Sequence, residues 1–234
     1  MNRIEGKSST IPFIEYSGSR EKPCIIFLHA NAFPPDCYIP LFEKLYENYK
    51  IICPLFRPLW KIPGNKNQIR SWSPLLQNMV QFLESFNPDQ PKILLGHSLG
   101  GNIGFRICLE FPDLVQSAIL MDPIIFSRRM IFLWQFIQWS KIGWNIHPMI
   151  KASKNQRLDY PSLQAMINRY RSKRTFSKIS DSNLKILIRG LTSEKQNGDV
   201  KLSFPKDWEL QIYMAGIIAD NEIWKRVQNL DKNI

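Results

Sequence analysis

Short, continuously apolar runs that alternate with amphipathic stretches limit what this chain can fold into. Ile11–Tyr16 reads as an early strand and Cys24–His29 (CIIFLH) as a fully apolar one. Tyr49–Phe56 (YKIICPLF) is a third, with regular pairing expected to end at Pro54. Lys92–Leu95 leads into a fourth, and Ser117–Met121 (SAILM) makes a fifth. Runs of this kind belong to strands buried on both faces, the mark of a parallel sheet with helices on each side. The intervening stretches supply those helices. Tyr38–Tyr49 puts Leu41, Phe42, Leu45, Tyr46 and Tyr49 on one helical face, and Ser73–Phe86 does the same with Leu76, Met79, Val80 and Leu83. Ser73-Pro74 is a helix start, because a proline in the first turn gives up an amide that has no partner there. The fold class that follows is α/β, a doubly wound and mostly parallel sheet.

After Pro123 the alternation stops. Met130–Trp139 reads as an apolar, Trp-rich helix, with basic helical stretches through Tyr160–Ser177 and another helix at Leu184–Leu191. Gln196-Asn197-Gly198-Asp199 signals a turn, followed by a short strand candidate in VKLSF, and Trp208–Asn229 reads as helical. Charge marks the same boundary. Ile124–Ser180 contains eleven Lys/Arg and one acid, Asp159, so it carries nearly all of the net +11. The expected layout is a sheet core over residues 1–123 and a largely helical insert over 124–229.

At 234 residues, 44% hydrophobic and 22% charged, the chain has enough apolar sequence for a sizeable core, which excludes global disorder. Cys24, Cys37, Cys53 and Cys108 lack CxxC spacing, which points to buried free thiols in a reducing compartment. The first twenty residues contain no apolar signal-peptide core, and no run of eighteen apolar residues occurs. The expectation is a cytoplasmic protein. No nucleic-acid motif accompanies the positive charge, so nucleic acid is not an expected partner.

Gly96-His97-Ser98-Leu99-Gly100 has the form G-x-S-x-G, with a strand running in and an amphipathic helix, Leu99–Phe111, running out. A turn this tight excludes a Cβ at the flanking positions and holds Ser98 at its tip with the hydroxyl exposed. Leu99 opens the helix, so its N–H points to where an oxyanion would form. With HANAFPPDCY after the first buried strand, FRPLW at Phe56–Trp60, GHSLGG, and Met121-Asp122-Pro123, the chain resembles the α/β-hydrolase superfamily from about Ile11 to Asn229. It is most similar to the lidded serine hydrolases. The serine separates it from the haloalkane dehalogenases and soluble epoxide hydrolases, which place Asp there.

The resemblance implies Ser98 as nucleophile, with Asn31 and Leu99 as backbone oxyanion donors. Ala30 stands where the family usually has Gly. His29 is implied to fix the loop, and His29, Ala30, Ala32, Phe33, Arg57, Trp60 and His97 are the candidate pocket residues. It also implies an acid after a seventh strand and a His after an eighth. None of His29, His97 and His147 fits that last position. Residues 230–234 resemble the approach to a seventh strand, so the reading is of a C-terminally incomplete hydrolase whose last strand, Ser117–Met121, is left as an open edge. Two alternatives stand beside it: a short variant using Asp122 as acid and His147 as base, and a non-catalytic small-molecule-binding protein on the same scaffold. The expected reaction is hydrolysis of an ester or related acyl or carbon–carbon bond in a small molecule, with no cofactor and no metal. The insert has two readings of its own. A stripe of Phe132, Phe136 and Trp134 or Trp139 near Arg128, Arg129 and Lys141 suits contact with an anionic membrane surface. The plainer expectation is a lid whose apolar face covers the pocket.

Overall fold

A computed structural model describes residues 1–17, 23–87, 90–139 and 142–229. The core strands are β1 (Asn2–Ser8), β2 (Ile11–Ser17), β3 (Cys24–Leu28), β4 (Lys50–Pro54), β5 (Lys92–His97) and β6 (Ser117–Met121). They form one six-stranded sheet in the order β1-β2-β4-β3-β5-β6. The β4-β3-β5-β6 block is parallel, and β2 and β1 extend it antiparallel. Alternation along β3 sends its side chains to two cores. Ile26 and Leu28 pack on one face against Leu75, Leu76, Met79, Ile103 and Ile107, whereas Ile25 and Phe27 join Phe42, Ile51, Cys53 and Leu95 on the other. Helix α1 (Ile39–Leu45) therefore covers one face, and α2 (Ser73–Ser85) and α3 (Leu99–Glu110) cover the opposite one. This is the doubly wound arrangement that the apolar runs require.

β1 has no counterpart in the sequence reading. Its residues are mostly exposed, so it carries no burial periodicity and exists through its ladder with β2. At the far side β6 pairs only with β5 among the described residues, and Ile119 on it is 58% exposed. All four cysteines are buried and free. No described helix is long and apolar enough to cross a membrane.

After β6, where the sequence reading expects an insert, come α4 (Arg128–Trp139), α5 (Gly143–Ile146), α6 (Pro148–Lys154), α7 (Leu163–Arg171), α8 (Asp181–Leu191), α9 (Lys206–Gly216) and α10 (Asn221–Arg226). This region also contains a small antiparallel sheet that the sequence reading only partly anticipates. Strands β7 (Asp159–Tyr160), β8 (Thr192–Glu194) and β9 (Val200–Leu202) align in the order β7-β9-β8. Thus Tyr160 lies in a strand and not in the expected helix; Pro161 follows it, and α7 starts only after Ser162, whose Oγ accepts the Ala165 N–H at 3.1 Å. The Gln196–Asp199 turn closes the β8–β9 hairpin, with Gly198 at φ +84°. Lys141 and residues 230–234 lie outside the described residues.

Candidate active site

The site begins where β5 ends. Ser98 takes φ +55° and ψ −111°, a combination that L residues avoid, and it joins β5 directly to α3. Three backbone bonds hold it: Ser98 N–H donates to Met121 O at 3.0 Å, and Ser98 O accepts the Asn102 N–H at 3.0 Å and the Ile124 N–H at 3.5 Å. The flanking glycines have a steric cause. A Cβ on Gly96 would stand 2.4 Å from Gly100 O, and one on Gly100 would stand 2.0 Å from Leu28 O. Leu99 is buried and opens α3, so its N–H has no carbonyl four residues back.

Ser98 opens onto a cavity of about 190 Å³, together with Ala30, Asn31, Phe33, His97 and residues of the insert. From the insert come Ile124, Phe126, His147, Met149, Tyr213 and Gly216, and Trp72 precedes α2. A neighbouring cavity of about 470 Å³ shares Phe33, Met149 and Tyr213 with it and is also lined by Ala32. The insert thus roofs the serine. Asn31 Nδ2 anchors that roof by donating to Glu209 O at 3.1 Å, and Trp72 Nε1 donates to Ile212 O at 2.9 Å.

The histidines have separate positions. His29 is fully buried; its Nδ1–H donates to Ala30 O at 2.8 Å and its Nε2 accepts the Phe56 N–H at 3.3 Å. Burial lowers its pKa to about 4, so the ring is a neutral brace for the loop and lies outside the Ser98 cavity. His97 lines the cavity, but its Nδ1 is bonded to Tyr38 Oη at 2.8 Å. Burial lowers its pKa, against an opposing pull from Asp122. His147 also lines the cavity, with Nδ1 accepting the Ile150 N–H at 3.4 Å as the cap of α6. A neutral ring accepting through Nδ1 carries its proton on Nε2. No hydrogen bond joins a histidine to Ser98 among the described residues.

Several expectations need correction. Arg57 and Trp60 do not line the Ser98 cavity. Arg57 Nε donates to Asn78 Oδ1 at 2.7 Å, with its guanidinium 5.8 Å from the Trp60 ring centre. Trp60 instead borders a larger groove of about 730 Å³ between β1–β2 and the end of α8. Trp60 Nε1 donates to Leu55 O at 2.6 Å, and its ring packs at the margin of the core on that side. Asp122 is exposed at φ +46° after β6 and makes no hydrogen bond or ion pair with His147 among the described residues. Trp72, Phe126, Met149, Tyr213 and Gly216 were not anticipated; they are far apart in sequence, and no local pattern distinguishes them from core residues.

Residues 61–180, just over half of the chain, match the family model Hydrolase_4, described as serine aminopeptidase, S33. The type I acyl-CoA thioesterase mpaH' of Penicillium brevicompactum is 26% identical over 131 residues, which is 47% of this chain and 30% of that protein. The matched stretches span less than a third of the curated relatives' own lengths. Among solved structures, a thioesterase domain from the curacin biosynthetic pathway superposes with a TM-score of 0.69 at 17% identity, over 99% of this chain and 79% of that one. E-2-(acetamidomethylene)succinate hydrolase superposes with a TM-score of 0.67 at 15% identity, over 92% of this chain and 73% of that one.

Proposed function

Because this chain belongs to the α/β-hydrolase family described as serine aminopeptidase, S33, we propose that it carries the nucleophile half of a serine hydrolase site acting on an acyl bond. In this reading Ser98 Oγ attacks the carbonyl of an ester or thioester. The N–H groups of Leu99 and Asn31 hold the oxyanion, the leaving group departs with a proton, and water later releases the acyl group from Ser98. The observation that carries the reading is the strained Ser98 backbone at a strand–helix junction, facing a roofed cavity. A thioester is favoured over a peptide by the relatives named as thioesterases. The two adjoining cavities suit an acyl group longer than acetyl.

The general base is proposed to come from outside residues 1–234. Two features support this: no described histidine bonds Ser98, and among the described residues no strand pairs with the outer edge of β6. A non-catalytic binding protein remains the second reading, favoured by the same missing bond. Rescue by exogenous imidazole separates them. With p-nitrophenyl butyrate, added imidazole is expected to accelerate hydrolysis by the 234-residue chain at least tenfold more than by Ser98→Ala. Equal rates in the two proteins would overturn the hydrolase reading and leave the binding one.

A further inference from the structure

Helix α4 has two apolar faces and buries only one. Ile131 and Trp134 pack inward against Ile150, Met214 and Ile217. The opposite face presents Arg129, Phe132, Leu133 and Phe136, spaced i, i+3, i+4, i+7 on one stripe. Phe132, Leu133 and Phe136 are 60%, 59% and 60% exposed, and the two phenyl rings contact each other edge to face at 5.1 Å between centres. Ile146 on α5 and Met149 on α6 are exposed as well, and α5 packs on α4 where Gly143 meets Ile137. The stripe expected from the sequence is split: Trp134 turns inward while Phe132 and Phe136 point outward, and the Ser98 cavity is covered by residues such as Phe126, Met149 and Tyr213.

Charge selects what can sit on it. Residues 124–156 contain five Lys/Arg and no acid. Arg129 and Lys151 are exposed and form no ion pair among the described residues, while Arg128 Nη2 donates to Trp224 O and Lys154 Nζ to Trp144 O. The acids on the adjoining segment are already engaged, Asp220 by Asn102 and the Phe126 N–H, and Glu222 by Lys225. Two copies meeting through this face would oppose like charges, whereas an anionic lipid surface satisfies both the cations and the apolar stripe.

We propose that the outer face of α4 docks this protein on anionic lipid bilayers, with Phe132, Leu133 and Phe136 entering the headgroup–acyl boundary and Arg129 and Lys151 meeting lipid phosphates. Met149 is exposed and also forms part of the wall of the Ser98 cavity. The docking does not depend on the hydrolase reading, and Ser98→Ala is expected to dock unchanged.

The test is co-sedimentation of the 234-residue chain with vesicles of phosphatidylcholine alone or with 30% phosphatidylserine, in 0.1 M NaCl. The expected result is at least tenfold stronger partition onto the anionic vesicles. Phe132→Ser with Phe136→Ser should cut it at least tenfold, and Arg129→Gln with Lys151→Gln should cut it severalfold and weaken its salt dependence. Both pairs of positions are exposed, and unchanged thermal melts show that the variants fold. Equal partition onto both vesicles, none onto either, or variants that bind like the parent would overturn the proposal. So would a dimer in light scattering that the Phe variants dissociate, which would make a second copy the occupant.

Discussion

Asn102 Nδ2 donates to Asp220 Oδ1 at 2.5 Å, tying the helix that begins at Ser98 to the far end of the insert. The same carboxylate accepts the Phe126 N–H, and Asn102 Nδ2 also donates to Ile124 O at 2.7 Å. One fully buried acid therefore holds both the Ile124–Phe126 segment and the chain after α9 against the helix behind the serine.

Burial raises the Asp220 pKa to about 6, above its ordinary 3.8, so the folded protein holds this proton more tightly than the unfolded chain does. Stability from this group is complete below the unfolded value and is lost as pH rises through 6. Asp220→Asn is expected to remove that dependence. Urea unfolding from pH 4 to 7 should show the wild type losing about 2–3 kcal/mol relative to the variant. A constant difference across that range would refute it.

His29 behaves in the opposite sense. With its pKa lowered to about 4, its contribution is present above 6.5 and is lost as pH falls toward 4, because the unfolded chain takes up the proton first. His29→Phe should cost about 2 kcal/mol at pH 7.5, since it leaves the buried Phe56 N–H unpaired. Its stability relative to wild type should recover as the pH is lowered to 5, as read from urea midpoints.

Gly100→Ala and Gly104→Ala differ in what the new methyl meets. At Gly100 it strikes backbone, 2.0 Å from Leu28 O; at Gly104 it meets the Leu94 Cδ2 methyl at 2.5 Å, which has rotamer freedom. Gly100→Ala should destabilise by about 3 kcal/mol or more and Gly104→Ala by clearly less. Similar losses of thermal stability would show that the elbow backbone yields.

His147→Gln tests the short-variant mechanism. As a cap of α6, His147 should contribute about 1 kcal/mol to stability. Its replacement should leave Ser98-dependent hydrolysis in the presence of imidazole within threefold. Ser98-dependent hydrolysis that is seen without imidazole and is lost in the folded variant would instead identify His147 as the base.

Strand positions, the elbow and the change in character after Pro123 were legible in the sequence because each has a local cause. Buried strands need continuous apolar runs, and a Cβ cannot enter the turn at Gly96 or Gly100. Burial of β3 on both faces was likewise implied by CIIFLH alone. Which residues roof Ser98 was decided only by tertiary packing. Trp72, Phe126 and Tyr213 meet at one cavity although more than 50 residues separate each from the next. Tertiary packing also turned Trp60 away from that cavity and set Phe132 and Phe136 outward. Helical spacing shows that residues share a face, but the direction of the face depends on which neighbours compete to bury it. On α4 the inward face went to Ile131 and Trp134, because Ile150, Met214 and Ile217 pack against them.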